Sequence, residues 1–206
     1  MEVAIPIFDG ITALDAIGPY EVLWRLPEAN VHFIAQEPGP MRTGDKMLAL
    51  TADESLAEVP HPDVIVVPGG YGTRALMSDE PLLAWLRAAH ETSRFTTSVC
   101  TGALLLGAAG ILTGLEATTH WRLLEKLGEL GATPVTRRVV EQGNVITAAG
   151  VSSGIDMALT LAARIAGEDV ARAIQLAIEY DPEPPFDSGS TDKATAEIVD
   201  LAARLT

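Results

Sequence analysis

The chain of 206 residues is 48% hydrophobic and 20% charged, apolar enough to bury a sizeable core and to exclude disorder over its bulk. Its formal charge of −14, with no cluster of Lys or Arg, excludes phosphate backbones and anionic lipid as favoured partners, so neither nucleic acid nor a membrane surface is expected. A lone cysteine, Cys100, cannot close an internal disulfide or build a cysteine-rich zinc site. It is a buried small hydrophobe, an intermolecular link or a working thiol.

The chain opens Met1-Glu2-Val3-Ala4-Ile5-Pro6-Ile7-Phe8, with no basic residue before the short apolar run. That pattern carries no secretory signal, and a cytoplasmic protein is expected. Strands are predicted at residues 2–8, 30–35, 64–67, 95–99 and 144–148, and helices at 19–25, 81–92, 102–109, 121–130 and 154–166. Pro19 would suit the first turn of its helix, where a missing N–H has no partner to lose. A hairpin-like stretch is predicted over 41–52. Residues 133–140 are expected to pair with 144–148 across Glu141-Gln142-Gly143. The apolar run 103–112 is glycine-interrupted and far short of the ~20 residues of a membrane span.

Several strands lack an alternation of apolar and polar residues, as expected when helices cover both faces of the sheet. Alternating strands and helices predict an α/β fold with a mainly parallel sheet, and one domain over 1–206. Near the C-terminus, Glu179-Tyr180-Asp181-Pro182-Glu183-Pro184-Pro185-Phe186 enforces an extended arm before a last helix at 193–205. Such an arm covers a pocket, binds a second subunit or merely connects.

Ligands of parallel sheets bind beyond the carboxyl ends of the strands, so the strand exits carry the chemistry. Phe95-Thr96-Thr97-Ser98-Val99-Cys100-Thr101-Gly102 runs a strand into a helix with cysteine at the corner. A tight turn of this kind resembles a nucleophile elbow with strained backbone, and the following helix N-terminus is expected to lower the thiol pKa. An inert buried cysteine is the alternative. Val67-Pro68-Gly69-Gly70 ends an apolar strand in glycines that let N–H groups approach a developing anion, although a structural turn would look the same. Asp15 is a lone carboxylate in an apolar run. It is either an N-cap or turn former, or a proton shuttle with its pKa raised beside the thiolate.

Gly150 and Val151 are expected to line the pocket. His120, in Ala117-Thr118-Thr119-His120-Trp121, either pairs with the cysteine or hydrogen-bonds behind it. His32, His61 and His90 are expected at edges or in solvent, and no metal site is expected.

Ser98-Val99-Cys100-Thr101-Gly102, the Pro68-Gly69-Gly70 turn, Leu14-Asp15-Ala16-Ile17-Gly18-Pro19 and Ala117-Thr118-Thr119-His120-Trp121 together resemble the ThiJ/PfpI superfamily, of the class I glutamine amidotransferase-like fold. Gln175-Leu176, Glu179-Tyr180 and Pro182 to Phe186 extend the likeness, and its nearest branch is that of the isocyanide hydratases. The resemblance implies a flavodoxin-like three-layer sandwich and a homodimeric enzyme. It would hydrate a small-molecule isocyanide to an N-substituted formamide, with no metal or organic cofactor. Cys100 then matches the nucleophile and Asp15 the acid/base carboxylate. Thr101 matches the hydroxyl residue after the nucleophile, Gly70 the glycine turn, and Gly150-Val151 a flexible segment at the site.

Thr101 and Asp15 stand where many superfamily members carry histidine and glutamate, which disfavours protease-like, chaperone and glyoxalase or deglycase assignments. A thiol enzyme of that glyoxalase type remains an alternative, as does a redox sensor. The Cys-Thr-Gly and Thr-Thr-His-Trp motifs also resemble the sensing domain of AraC-type regulators, which a helix-turn-helix domain follows.

Overall fold

The computed structural model describes residues 1–205, so of the expected 1–206 domain only Thr206 lies outside the described residues. In chain order the elements are β1 (Glu2–Pro6), α1 (Ala13–Leu23), β2 (Asn30–Ala35), β3 (Gly39–Arg42), β4 (Ala49–Ala52), β5 (Glu54–Ser55) and β6 (Val64–Val67). There follow α2 (Thr73–Leu76), α3 (Glu80–Thr92), β7 (Phe95–Val99), α4 (Gly102–Ala108), β8 (Glu116–Ala117) and a 3-10 turn (Trp121–Leu123). The chain continues through α5 (Leu124–Glu129), β9 (Thr133–Pro134), β10 (Val139–Gln142), β11 (Val145–Ala148), α6 (Ser153–Ala166), α7 (Glu168–Ala177) and α8 (Ala196–Leu205).

A seven-stranded sheet runs in the order β10-β11-β7-β6-β1-β2-β5, parallel except for the β10–β11 hairpin at its edge. Every residue of β6, β7 and β11 is buried, as continuous apolar or β-branched strands require when helices cover both faces. On one side α1, α6 and α7 pack together, and α4 joins α2, α3 and α5. The fold is therefore the expected α/β sandwich. The chain leaves β1 for β2 on one side and reaches β6 on the other, so the strand order reverses between β1 and β6. That reversal opens the crevice in which such sheets bind ligands.

The loops after these two strands are tied together there. Thr12 N–H donates to the Gly69 carbonyl at 2.9 Å and Gly72 N–H to the Gly10 carbonyl at 3.1 Å. Gly70, at φ +140°, has no room for a side chain, because a Cβ would lie 2.3 Å from the Gly10 carbonyl oxygen.

Some boundaries differ from the sequence reading. Helix α1 begins at Ala13, so Pro19 sits inside it instead of opening it. Residues 133–140 do not form one strand: β9 pairs in parallel with β8, and β10 alone makes the hairpin with β11, across Gly143 and Asn144. Helix α7 follows a break at Gly167, φ +91°, where a helix was not expected. No helix among the described residues is long and apolar enough to cross a membrane.

Candidate active site

Cys100 stands between β7 and α4 with φ +56°, a left-handed conformation that costs a non-glycine residue energy, so the expected strained corner is present. Its backbone is pinned on both sides. The N–H donates to the Ala148 and Ala149 carbonyls at 3.2 and 2.9 Å, and the carbonyl accepts the Thr119 hydroxyl at 2.8 Å. Gly102 is required at the next turn, since a Cβ there would lie 2.0 Å from the Val67 carbonyl oxygen. The side chain is 5% exposed and faces a crevice of about 630 Å³ at the β1–β6 reversal. Thr12, Gly70, Tyr71, Arg74, His120 and Val151 form much of its wall.

Asp15 approaches the thiol from α1. It lies in the first turn of that helix, one turn past the N-cap position held by Thr12, and is fully buried. The N-cap reading is therefore set aside. Oδ2 accepts the Gly69 N–H at 2.9 Å, while Oδ1 has no aligned hydrogen-bond donor among the described residues. Burial raises the Asp15 pKa from 3.8 to about 7, against the Gly69 N–H and the nearby Cys100 thiol, which favour the carboxylate.

The same burial, together with the Asp15 charge, pushes the Cys100 thiol up to about 12. This corrects the expectation of a thiol pKa lowered by the helix N-terminus. Only the Val151 and Thr101 N–H groups, which point at sulfur, work in the other direction. At neutral pH the pair therefore rests as a thiol beside a carboxyl group poised to take its proton.

The glycine turn plays a different part from the one expected. Gly69 N–H is donated to Asp15, and Gly70 N–H to Thr101 Oγ1 at 2.8 Å, so neither is left to hold an oxyanion in this state. Thr73 Oγ1 completes the network, donating to the Gly70 carbonyl at 2.8 Å and lying 3.1 Å from Thr101 Oγ1. The turn orients the acid, and Thr101 locks the turn. A Cβ on Gly69 would meet Thr101 N at 2.5 Å and Asp15 Oδ2 at 2.9 Å.

Val151, at φ +30°, is a β-branched residue in a region it rarely occupies, held where its N–H reaches the sulfur. Gly150 lies against His120, whose Cδ2 would be 2.9 Å from a Cβ there. The His120 Nδ1 accepts the Arg122 N–H at 3.4 Å, and burial with two nearby arginines, Arg122 and Arg74, depresses its pKa. It is neutral, and no hydrogen bond joins it to Cys100 among the described residues. His120 and Val151 separate the cysteine crevice from a neighbouring one of about 370 Å³. Gly189, Ser190, Thr191 and Asp192, which follow the proline-rich arm, line that second crevice.

Of the other histidines, His61 is exposed; His32 bonds Glu2 and Glu54 at the sheet edge, and half-buried His90 bonds Thr96. Sequence reading missed Thr119, Thr73, Tyr71, Arg74 and Arg122. Thr119 stands beside His120 in the quoted motif, and Tyr71 and Arg74 directly follow the glycine turn.

The DJ-1/PfpI family pattern matches residues 1–164. The chain belongs to the DJ-1/PfpI family. This DJ-1/PfpI chain is 45% identical over 204 residues to an isonitrile hydratase of Pseudomonas putida, covering 99% of this chain and 89% of that one. A ThiJ/PfpI family protein from Pseudomonas syringae superposes with TM-score 0.95 at 35% identity, over 99% of this chain and 85% of that one. DJ-1beta of Drosophila melanogaster superposes with TM-score 0.79 at 22% identity, over 86% and 97% of the two chains, and shares the fold.

Proposed function

We propose that this one-domain chain is an isocyanide hydratase in which Cys100 is the nucleophile and Asp15 the acid and base. The observation that carries the reading is the buried Cys100–Asp15 pair, with Cys100 in the wall of a crevice and the Asp15 oxygen Oδ1 free of an aligned donor. The Pseudomonas putida relative, named an isonitrile hydratase, aligns over nearly the whole chain and supports the same substrate class.

The chemistry follows from one proton shared by two groups. Asp15 takes the thiol proton as sulfur attacks the terminal carbon of R–N≡C, and returns it to the lone pair of that carbon. The S–H bond is broken, C–S and C–H bonds form, and the product is a thioimidate on Cys100. Asp15, ionised again, removes a proton from water as oxygen attacks the thioimidate carbon and passes it to the nitrogen, leaving the second water proton on the new hydroxyl. The C–S bond then breaks, the thiol recovers its proton through Asp15, and R–NH–CHO departs. One carboxyl acts as base and acid in turn, so histidine is not needed at the sulfur. The Thr101 and Val151 N–H groups stabilise negative charge on sulfur as it forms and as it leaves.

The same reading carries a homodimer in the cytoplasm. Exposed Leu14 and half-buried Ile155 and Ile178, which line one shallow surface hollow with Ile17, offer an apolar face for a second copy. Sedimentation of the purified protein as a single-chain species would remove the dimer from the proposal.

The activity is tested by incubating the protein with an aryl isocyanide and following formamide by chromatography. Wild type is expected to turn over, and Cys100→Ala and Asp15→Asn to lose the reaction. Lactate from methylglyoxal with no formamide would favour the glyoxalase-type alternative instead.

A further inference from the structure

The chain carries −14 overall, yet the crevice above Cys100 has the opposite character. Arg74 and Arg122 are both in its wall, and no Asp or Glu is among the residues that line it. The neighbouring crevice behind His120 differs, for it includes Asp192. Arg74 is held in place as well as charged. Its guanidinium stacks over the Tyr71 ring, 4.4 Å from the centroid, and reaches the Tyr71 carbonyl at 3.5 Å. It has no acidic partner among the described residues. A planar cation stacked on an aromatic ring loses less freedom on binding an anion than a mobile lysine would.

The isocyano carbon must reach the sulfur at the crevice floor, so the substituent R points outward past Tyr71, Arg74 and Arg122. A site meant for a purely apolar R would have no use for the stacked Arg74 guanidinium there. The geometry points to an isocyanide whose substituent carries a carboxylate or comparable anion, bound by Arg74. Arg74 is then the specificity-determining residue for the substituent. The inference rests on the hydratase reading and narrows its substrate class. Burial is the main cause of the depressed His120 pKa, and the positive charges of Arg122 and Arg74 add to it.

The test is a matched pair of substrates, 4-isocyanobenzoate and its methyl ester, with 3-isocyanobenzoate as a second geometry. In wild type at low salt, kcat/KM for one of the carboxylates is expected to exceed that of the ester about tenfold, the size of a charge-assisted hydrogen bond. The difference should lie in KM, because the anion is remote from the reacting carbon, and should shrink as salt is added. Arg74→Gln should bring the ratio to about one, and Arg74→Lys should keep most of it. A wild-type ratio at or below one for both carboxylates, or a ratio that Arg74→Gln leaves intact, overturns the inference. Hydration of the ester in that case leaves the hydratase reading standing. Failure to hydrate any of the three removes the hydratase reading and this inference with it.

Discussion

Asp15 lies buried against the Cys100 thiol, with Oδ2 anchored by the Gly69 N–H at 2.9 Å and Oδ1 without an aligned donor. One oxygen fixes the orientation of the carboxyl, and the other is available for a proton. Both groups are buried, and the Asp15 charge raises the cost of ionising the Cys100 thiol. The pair therefore holds two protons below about pH 7 and one above it, and the one-proton form is the inventory that addition of a thiol across an isocyanide carbon requires.

The first prediction concerns stability. Unfolded Asp15 titrates near 3.8 and the folded residue near 7, so the native state binds the extra proton between these values. Stability contributed by this group is greatest below pH 4 and falls as pH rises to 7, by about 4 kcal/mol. Asp15→Asn keeps an oxygen for the Gly69 N–H and does not ionise. Urea unfolding should find the variant increasingly more stable than wild type from pH 5 to pH 8; a constant difference would show that Asp15 is ionised throughout.

The same titration shapes the rate. With both groups protonated the carboxyl cannot accept the thiol proton, so kcat/KM should rise through about pH 7 and stay level until the thiol itself ionises near pH 12. A pH profile with an aryl isocyanide reads this directly. A rate that falls between pH 6 and 8 would contradict the assignment of Asp15 as the initial base.

Gly69→Ala tests the turn. Its Cβ would meet the Thr101 backbone N at 2.5 Å and Thr101 Oγ1 at 2.6 Å, so backbone must move. Overpacking should cost about 1–3 kcal/mol of stability, and the displaced Asp15 should reduce kcat about 100-fold or more. A folded variant with wild-type turnover would show that the close approach of the turn is dispensable.

Thr101→Val leaves the Gly70 N–H buried without its acceptor, for an expected loss of about 1–3 kcal/mol, whereas Thr101→Ser retains the oxygen and most of the stability. Thermal unfolding of the two variants measures the difference. A stable Thr101→Val beside a destabilised Thr101→Ser would assign the effect to packing of the Thr101 methyl group.

The strand exits were legible in the sequence because β6, β7 and β11 are buried throughout and read as continuous apolar or β-branched runs ending in Pro68-Gly69, Cys100 and Ala149. Asp15 was visible as an isolated carboxylate among apolar residues, but not its place inside a helix. Gly18-Pro19 reads as a helix start, while the structure carries α1 through Pro19, whose ring packs near Gly154. A proline at position 19 has no N–H to offer the Asp15 carbonyl one helical turn earlier, a price local propensity rules do not foresee.

Helix α7 shows its buried side only at Ala171 and Ile174, too sparse a stripe to stand out beside α6. The direction of the Cys100 shift was hidden for a different reason. A helix N-terminus can be read from sequence, but the burial and the charge of Asp15 that oppose it arise from residues far apart in the chain. Arg74 and Arg122 meet only when the loops after β6 and β8 fold over the same crevice.

The most direct test of the central claim is intact-mass spectrometry of the enzyme quenched during turnover of an aryl isocyanide. Wild type is predicted to show a species heavier by the full mass of the isocyanide, mapped to Cys100 by peptide analysis, that decays as the formamide accumulates. Formamide production without such a species in wild type, and at an unchanged rate in Cys100→Ala, would contradict covalent catalysis by this cysteine.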